Sequence, residues 1–169
     1  MSAIHSFLPI SDPEAKVLIL GSMPGKQSLE KNQYYAHPQN AFWKIMGDLV
    51  GTYPSLPYER RLCLLSSAGI ALWDVLASCE RSSSLDSHIK HEQANDFASF
   101  FIRHPNIIQV FFNGSKAEQC FKKFVQNKQD LPLLQYCRLP STSPAHAGMR
   151  YEEKLHAWIK VKKWLPGKV

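Results

Sequence analysis

The segment KVLILGSMPGKQSLEKNQYYAHPQNAFW, residues 16–43, decides the fold, because it joins a short apolar run to a glycine-bounded turn and then to polar residues at a helix start. Residues 17–20 are uniformly apolar, which is typical of a strand buried on both faces of a parallel sheet. Residues 21–25, GSMPG, predict a rigid turn at the carboxyl end of that strand. Ligands of open α/β sheets bind at this edge, so the sequence predicts the functional site there.

The rest of the chain alternates between apolar runs and helical patterns. Three further strands are predicted over residues 70–73, 107–112 and 133–139. Helices are predicted after an Asn40 cap, after a Ser115 cap, and over residues 58–67, 93–104 and 150–165, whereas the polar segment 81–91 is expected to be a loop or an irregular helix. This alternation favours an α/β fold, a three-layer α/β/α sandwich around a mostly parallel four-stranded sheet, in one domain over residues 1–169.

Composition narrows the function classes without deciding among them. The chain has 20 Lys and Arg against 14 Asp and Glu, for a net charge of +6, which suits a nucleic-acid partner but also a basic soluble protein. Its four cysteines are widely spaced without a CxxC pair, so we expect buried, reduced thiols and neither a metal nor another cofactor. With no basic leader and no apolar run long enough to cross a bilayer, we expect a monomeric cytoplasmic protein.

The glycine turn does not match the common phosphate-binding motifs. Residues 21–28 read GSMPGKQS, which is one residue short of a P-loop and has an insertion before the serine. The G-x-G-x-x-G pattern of dinucleotide sites is also absent. A nucleoside triphosphatase and a dinucleotide-dependent enzyme are therefore both disfavoured.

A more specific pattern follows the turn. GSMPG at residues 21–25 and YYAHPQNAFWK at residues 34–44 together resemble the uracil-DNA glycosylase superfamily. The resemblance is particularly to its mismatch-specific branch, with a G-x-N-P-G turn and an aromatic-A-H-P-x-N-x-F-W-K segment, and to its hypoxanthine (deoxyinosine) DNA glycosylases. Three further segments match in the same order: GIALWD at residues 69–74, FFNGSKA at 111–117 and LPSTSPAH at 139–146.

The resemblance implies an enzyme that flips a damaged base out of DNA and hydrolyses its N-glycosidic bond. Such cleavage passes through an oxocarbenium-like sugar and needs a positioned water, an aromatic platform for the base and donors toward the leaving group. Tyr35 matches the stacking aromatic, and the backbone of Ser22 and Met23 is expected to line the pocket floor. Asp74 matches the position that reads the base edge. An ionised carboxylate only accepts hydrogen bonds, so it favours bases with a ring N–H, such as hypoxanthine and uracil, over cytosine and adenine.

The sequence departs from its relatives at two catalytic positions. Met23 stands where other branches have Asn or Asp, and a thioether cannot orient water. Asn40 is the best replacement for that group, with helix capping as its competing role, and the hypoxanthine branch similarly lacks the turn amide. Leu139 replaces the catalytic histidine of some relatives, which leaves His146 as a candidate donor to the leaving base.

The remaining candidates are predicted to contact DNA. Asn113 is expected to bind the base or a phosphate, or to serve the Asn-Gly turn. Ser141, Thr142 and Ser143 are candidates for phosphate contacts, and the segment from Ala145 to residue 147 for the space left by the flipped base. Among the lysines, Lys26 is expected to contact phosphate, whereas those of the last helix read as a solvated face (Lys160, Lys162 and Lys163).

We therefore predict a DNA glycosylase that excises a deaminated base and leaves an abasic site. Hypoxanthine is the first candidate, and the alternative is a uracil DNA glycosylase of the mismatch type, which acts on uracil in G:U or thymine in G:T pairs. The motif segment offers no convincing lysine for Schiff-base chemistry, so no lyase step is predicted. Two rival hypotheses are a catalytically inert nucleic-acid-binding module on the same fold and a hydrolase of free nucleosides.

Overall fold

The computed structural model describes residues 3–82 and 88–166. Its strands are β1 (Ile4–His5), β2 (Val17–Gly21), β3 (Ile70–Asp74), β4 (Leu76–Glu80), β5 (Lys90–Ala94), β6 (Gln109–Asn113) and β7 (Gln135–Leu139). Its helices are α1 (Lys26–Lys31), α2 (Phe42–Val50), α3 (Tyr58–Ser67), α4 (Phe97–Arg103), α5 (Ser115–Phe124) and α6 (Tyr151–Trp158), and α6 continues as a 3₁₀ segment, Ile159–Trp164.

Four parallel strands in the order β3-β2-β6-β7 form the central sheet. β2 lies inside it and alternates between two apolar layers. Leu18 and Leu20 pack with the phenylalanines of α4 and α5, whereas Val17 and Ile19 pack with α2, α3 and α6. All four side chains are fully buried, and each contributes about 1.5–3 kcal/mol of hydrophobic stabilisation. The predicted three-layer α/β/α sandwich is confirmed.

A second, smaller sheet was not predicted from the sequence. β1, β4 and β5 pair in antiparallel fashion in the order β1-β4-β5. The expectation of a loop or irregular helix over residues 81–91 is wrong for its end, because Lys90 and His91 belong to β5, while residues 83–87 lie outside the described residues. β5 reads KHEQA and is largely exposed, so it has none of the apolar alternation by which strands are detected.

Helix α4 begins later than predicted, at Phe97 instead of Gln93. The Asp96 carboxylate caps it by accepting hydrogen bonds from the Ser99 N–H at 3.1 Å and the Ser99 hydroxyl at 2.8 Å. Gln129 Oε1 accepts the first two helical N–H groups at 2.7 and 3.0 Å. Side chains from inside and outside the helix thus set its start.

Smaller differences concern α1 and the ends of other elements. α1 was not predicted, Gly114 and not Ser115 is the N-cap of α5, and the predicted last helix is α-helical only as far as Trp158. None of the four cysteines forms a disulfide; Cys79 and Cys120 are buried, whereas Cys63 is exposed, contrary to expectation. Among the described residues, no helix is long and apolar enough to cross a membrane.

Candidate active site

The carboxyl ends of the four parallel strands bring the sequence motifs to one edge of the sheet. Gly21, at the end of β2, is paired in register with Asp74 at the end of β3. Asn113, at the end of β6, is paired with Leu139 at the end of β7. The predicted convergence of the motif segments is therefore observed in the fold.

Gly21 allows the side chains of Asp74 and Tyr35 to approach its backbone closely. A Cβ on this residue would lie 2.6 Å from Asp74 Oδ1 and 3.0 Å from the Tyr35 hydroxyl oxygen. Asp74 is 3% exposed, so its carboxylate lies on the inside of the site. The next two residues of the turn, Ser22 and Met23, are also buried and follow Gly21 at the same edge of the sheet.

Tyr35 has a left-handed backbone conformation, with φ of +54°, that residues other than glycine rarely adopt. Non-glycine residues in this region carry about 1 kcal/mol or more of strain, so the surroundings must impose it. On one side, the Tyr34 N–H donates to the Tyr58 hydroxyl at 2.9 Å, and on the other the Ala36 N–H donates to Ser28 Oγ at 3.1 Å. The Tyr35 ring stacks on Phe42 with centroids 4.1 Å apart. An aromatic platform is thus fixed beside Asp74.

The neighbouring Tyr34 does not share this role. Its ring is buried, and its hydroxyl donates to the carbonyl oxygen of Leu8 at 2.9 Å. Burial, followed by the charge of Asp74, raises the pKa of Tyr34 well above its usual range. Tyr34 is therefore a protonated hydrogen-bond donor of the core.

Asn40 lies half-buried just before α2, and its side chain already makes one hydrogen bond. The Phe42 N–H donates to Asn40 Oδ1 at 2.9 Å, and the Asn40 N–H donates to the His37 carbonyl at 2.9 Å. The competing capping role is therefore present in the structure, although Ala41 is the formal N-cap. No partner for Asn40 Nδ2 is found within the described residues, which leaves its two N–H donors for another ligand.

Asn113 and Thr142 are joined by two hydrogen bonds. Asn113 Nδ2 donates to Thr142 Oγ1 and the Thr142 N–H donates to Asn113 Oδ1, both at 2.9 Å. The Ala41 N–H in turn donates to the Thr142 carbonyl at 3.0 Å. Thr142 is 1% exposed. Each polar atom of the Asn113 side chain thus has a protein partner, and the Thr142 hydroxyl faces the interior.

The rest of the loop after β7 is more exposed and stabilised by local hydrogen bonds. Ser141 Oγ accepts from the Ser143 N–H at 3.1 Å, and Ser143 Oγ accepts from the Ala145 N–H at the same distance. Ala145 and His146 are exposed. The structure therefore presents these two residues to a partner, together with the half-buried Ser141 and Ser143.

Two cations near the site were missed by the sequence analysis. Lys154 of α6 is buried and donates to the His146 carbonyl at 2.9 Å, and burial lowers the pKa of its ammonium. Arg81 donates to the carbonyl of Pro24, in the glycine turn, at 2.6 Å. Neither hydrogen bond can be predicted from the pattern of apolar and polar residues in the sequence. The lysines predicted to form a solvated face are exposed (Lys160, Lys162 and Lys163), and Lys26, the candidate phosphate contact, is exposed as well.

A parallel α/β sheet with these motifs at its carboxyl edge defines a base-excising enzyme of the DNA glycosylase class. Comparisons with known proteins place the chain within it. The model of the uracil DNA glycosylase superfamily matches residues 8–164. This protein belongs to that superfamily, and it is a DNA glycosylase, a hydrolase of N-glycosidic bonds.

Individual relatives agree with this assignment. A hypoxanthine DNA glycosylase from Methanosarcina barkeri is 41% identical over 114 residues, which are 67% of this chain and 72% of that protein. One from Methanosarcina acetivorans is 38% identical with the same coverage. The solution NMR structure of a candidate uracil DNA glycosylase from Methanosarcina acetivorans superposes with a TM-score of 0.80 at 30% identity, covering 96% of this chain and 98% of that one.

Proposed function

We propose that this glycosylase excises hypoxanthine from deoxyinosine in DNA and leaves an abasic site. The observation that carries the proposal is the approach of the buried Asp74 carboxylate and the Tyr35 hydroxyl to the same point on Gly21. In the proposed complex, the flipped base stacks on the Tyr35 ring and its ring N–H donates to Asp74. The two archaeal relatives named as hypoxanthine DNA glycosylases support this choice of base.

The proposed contact between the ring N–H of the base and the Asp74 carboxylate also determines which other bases could bind. An ionised carboxylate accepts a ring N–H and disfavours cytosine and adenine, which have none to donate. Guanine differs from hypoxanthine by its exocyclic amino group, so its rejection depends on the shape of the pocket. Uracil also has a ring N–H and is the second candidate, in keeping with the structural neighbour described as a candidate uracil DNA glycosylase.

Asn40 is the residue proposed to position the attacking water. Its Oδ1 has a second acceptor position besides the one used by Phe42, and its Nδ2 supplies donors. A carboxamide orients water without removing its proton. Water oxygen bonds to C1′ as the bond to the base breaks, the bonding electron pair leaves with the base, and the proton that water loses ends on the base. The negative charge that develops on the base before it is protonated requires stabilisation. Backbone N–H groups of Ser22 and Met23, and the His146 ring, are the proposed donors for this charge.

DNA is proposed to approach the exposed loop after β7 and the start of α1. Lys26, Ser141 and Ser143 are the candidate phosphate contacts, while Ala145 is proposed to enter the space left by the flipped base. For His146, entry into that space is the alternative to donating to the leaving base. The net charge of +6 favours this approach. Thr142 was also a candidate from the sequence, but its buried hydroxyl is used by Asn113.

The proposal is tested by identifying the products formed from a DNA duplex with a single deoxyinosine. Purified protein should release free hypoxanthine, detected by mass spectrometry, and leave an abasic site that breaks only after alkaline treatment. Binding without release would instead indicate an inert module. Equal activity on free deoxyinosine at low and high salt would indicate a nucleoside hydrolase, because binding to DNA phosphates is strongly salt-dependent.

A further inference from the structure

We infer that Thr142 is a positioning residue that fixes the Asn40 carboxamide for attack. This inference rests on the proposed function, since it concerns how the proposed water-positioning residue is held. It gives Thr142 a different task from the phosphate contact that the sequence suggests. Its hydroxyl points into the protein, and with 1% of the residue exposed it offers no surface for a phosphate oxygen.

Thr142 connects two parts of the site that are distant in sequence. Through its hydroxyl and N–H it is held by Asn113, at the end of β6, with two bonds of 2.9 Å. Through its carbonyl it receives the Ala41 N–H at 3.0 Å. Ala41 directly follows Asn40. The rigid sheet edge is therefore connected to the Asn40 peptide by a continuous series of hydrogen bonds.

Asn40 is restrained on its other sides as well. Its own N–H is held by the His37 carbonyl and its Oδ1 by the Phe42 N–H. Thr142 supplies the restraint on the following peptide group. Since the side chain extends from a backbone fixed on both sides, loss of the Thr142 link would let the carboxamide shift. A misplacement of about 1 Å is enough to reduce a reaction rate by ~100-fold.

The hydroxyl of Thr142 is the part of this link that a substitution can remove. Valine has nearly the same shape but cannot accept the Asn113 Nδ2 hydrogen bond. Within the described part of the chain Nδ2 then has no other acceptor, and a partly buried amide without a partner is destabilised. Serine keeps the hydroxyl and loses one methyl group. Thr142→Val should therefore disturb the link, and Thr142→Ser should preserve it.

Thr52 provides a matched control. It is also fully buried, and its hydroxyl has no hydrogen-bond partner within the described part of the chain. Thr52→Val thus makes the same chemical change without breaking a hydrogen bond, at a position after α2 that the proposed mechanism does not use.

The test measures single-turnover cleavage of a deoxyinosine duplex at saturating enzyme, together with the dissociation constant for that duplex. We expect Thr142→Val to lower the rate ~10-fold or more with an unchanged dissociation constant, and Thr142→Ser and Thr52→Val to stay within ~3-fold of wild type. In an Asn40→Ala background, Thr142→Val should slow the reaction no further. Thr142→Ala replaces the valine variant if the latter fails to fold.

Contradictory results separate the inference from the proposed function. A slow Asn40→Ala variant beside a Thr142→Val variant of wild-type rate would overturn the inference alone. Weaker duplex binding by Thr142→Val, with an unchanged rate at saturation, would also overturn the inference. It would instead support the role first predicted from the sequence, in which Thr142 contacts a phosphate. If Asn40→Ala keeps the full rate, Asn40 does not position the water, and the inference fails together with that part of the mechanism. If the wild-type protein does not cleave deoxyinosine, the proposed function itself fails.

Discussion

The Lys154 ammonium donates a hydrogen bond of 2.9 Å to the His146 carbonyl oxygen, so a buried charge of α6 holds the exposed loop proposed to enter DNA. We expect Lys154→Met to loosen this loop and weaken binding to an abasic-site duplex by ~5-fold, because ordering the loop then costs conformational entropy on binding. Binding is measured by fluorescence anisotropy. Unchanged affinity would show that the loop is ordered without Lys154.

The same variant has a predictable pH dependence. Burial lowers the pKa of Lys154 below its usual value of 10.5, so the unfolded chain binds more protons than the folded one in the alkaline range. The cost of the buried charge is fully present below the folded pKa and is relieved as the pH rises through it. As the pH rises toward 10.5, Tm should therefore change in favour of wild type over Lys154→Met.

Asn40→Ala should separate catalysis from helix capping. We expect ~100-fold slower single-turnover cleavage of a deoxyinosine duplex, because the water-positioning group is lost. Losing the bond to the Phe42 N–H should also cost about 1 kcal/mol of stability. Asp96→Ala is the matched control, since it removes the cap of α4 outside the site and should lower Tm without slowing cleavage. Equal rates for both variants would assign Asn40 to capping alone.

Asp74→Asn should change which base is preferred. The ring N–H of hypoxanthine lies between one carbonyl and a C–H, whereas that of uracil lies between two carbonyls. A carboxylate only accepts and is repelled by a carbonyl beside the N–H, whereas an amide can also donate to it, so the substitution favours uracil. The ratio of the single-turnover rates on deoxyinosine and deoxyuridine duplexes should shift by ~10-fold or more. A constant ratio, with both rates falling together, would remove Asp74 from base recognition.

Gly21→Ala tests the close approach at the floor of the site. The added methyl group would lie 2.6 Å from Asp74 Oδ1, so Asp74 or Tyr35 must move, and we expect the cleavage rate to fall by ~10-fold or more. Gly51→Ala is the control: that glycine has φ of +88° and open space around its Cβ position. It should cost about 1 kcal/mol of stability and no activity. Wild-type cleavage by Gly21→Ala would contradict the geometry of the site.

The parts of this structure that the sequence predicts are those with a repeating apolar signal. The runs that end at Gly21, Asp74, Asn113 and Leu139 all form parallel strands, and their order along the chain places the motifs at one edge. The first three runs are almost entirely buried, whereas in the fourth only Leu139 is. The exposed β5 lacks that signal, since only its backbone pairing with β4 makes it a strand. The backbone pairing that makes β5 a strand therefore cannot be predicted from the sequence of β5 and is known only from the structure.

Side-chain links within the site are equally hard to predict. Asn113 and Thr142 are separated by 29 residues, and a serine- and threonine-rich loop suggests phosphate contacts as readily as an internal hydrogen bond. Lys154 sits on a helix whose charged residues otherwise face solvent, with Trp158 as its other buried residue. From the sequence alone, a buried polar residue whose hydrogen bonds are made within the protein looks the same as a polar residue on the surface.

We propose that this glycosylase acts first on deoxyinosine. The preference is measured as single-turnover rates, with excess protein, on matched duplexes that contain one deoxyinosine, one deoxyuridine or one thymine opposite guanine, each followed by alkaline strand cleavage. We predict that the deoxyinosine duplex is cleaved fastest, by ~10-fold or more over the other two. Faster cleavage of the deoxyuridine duplex would contradict the claim and make uracil the substrate of the same site.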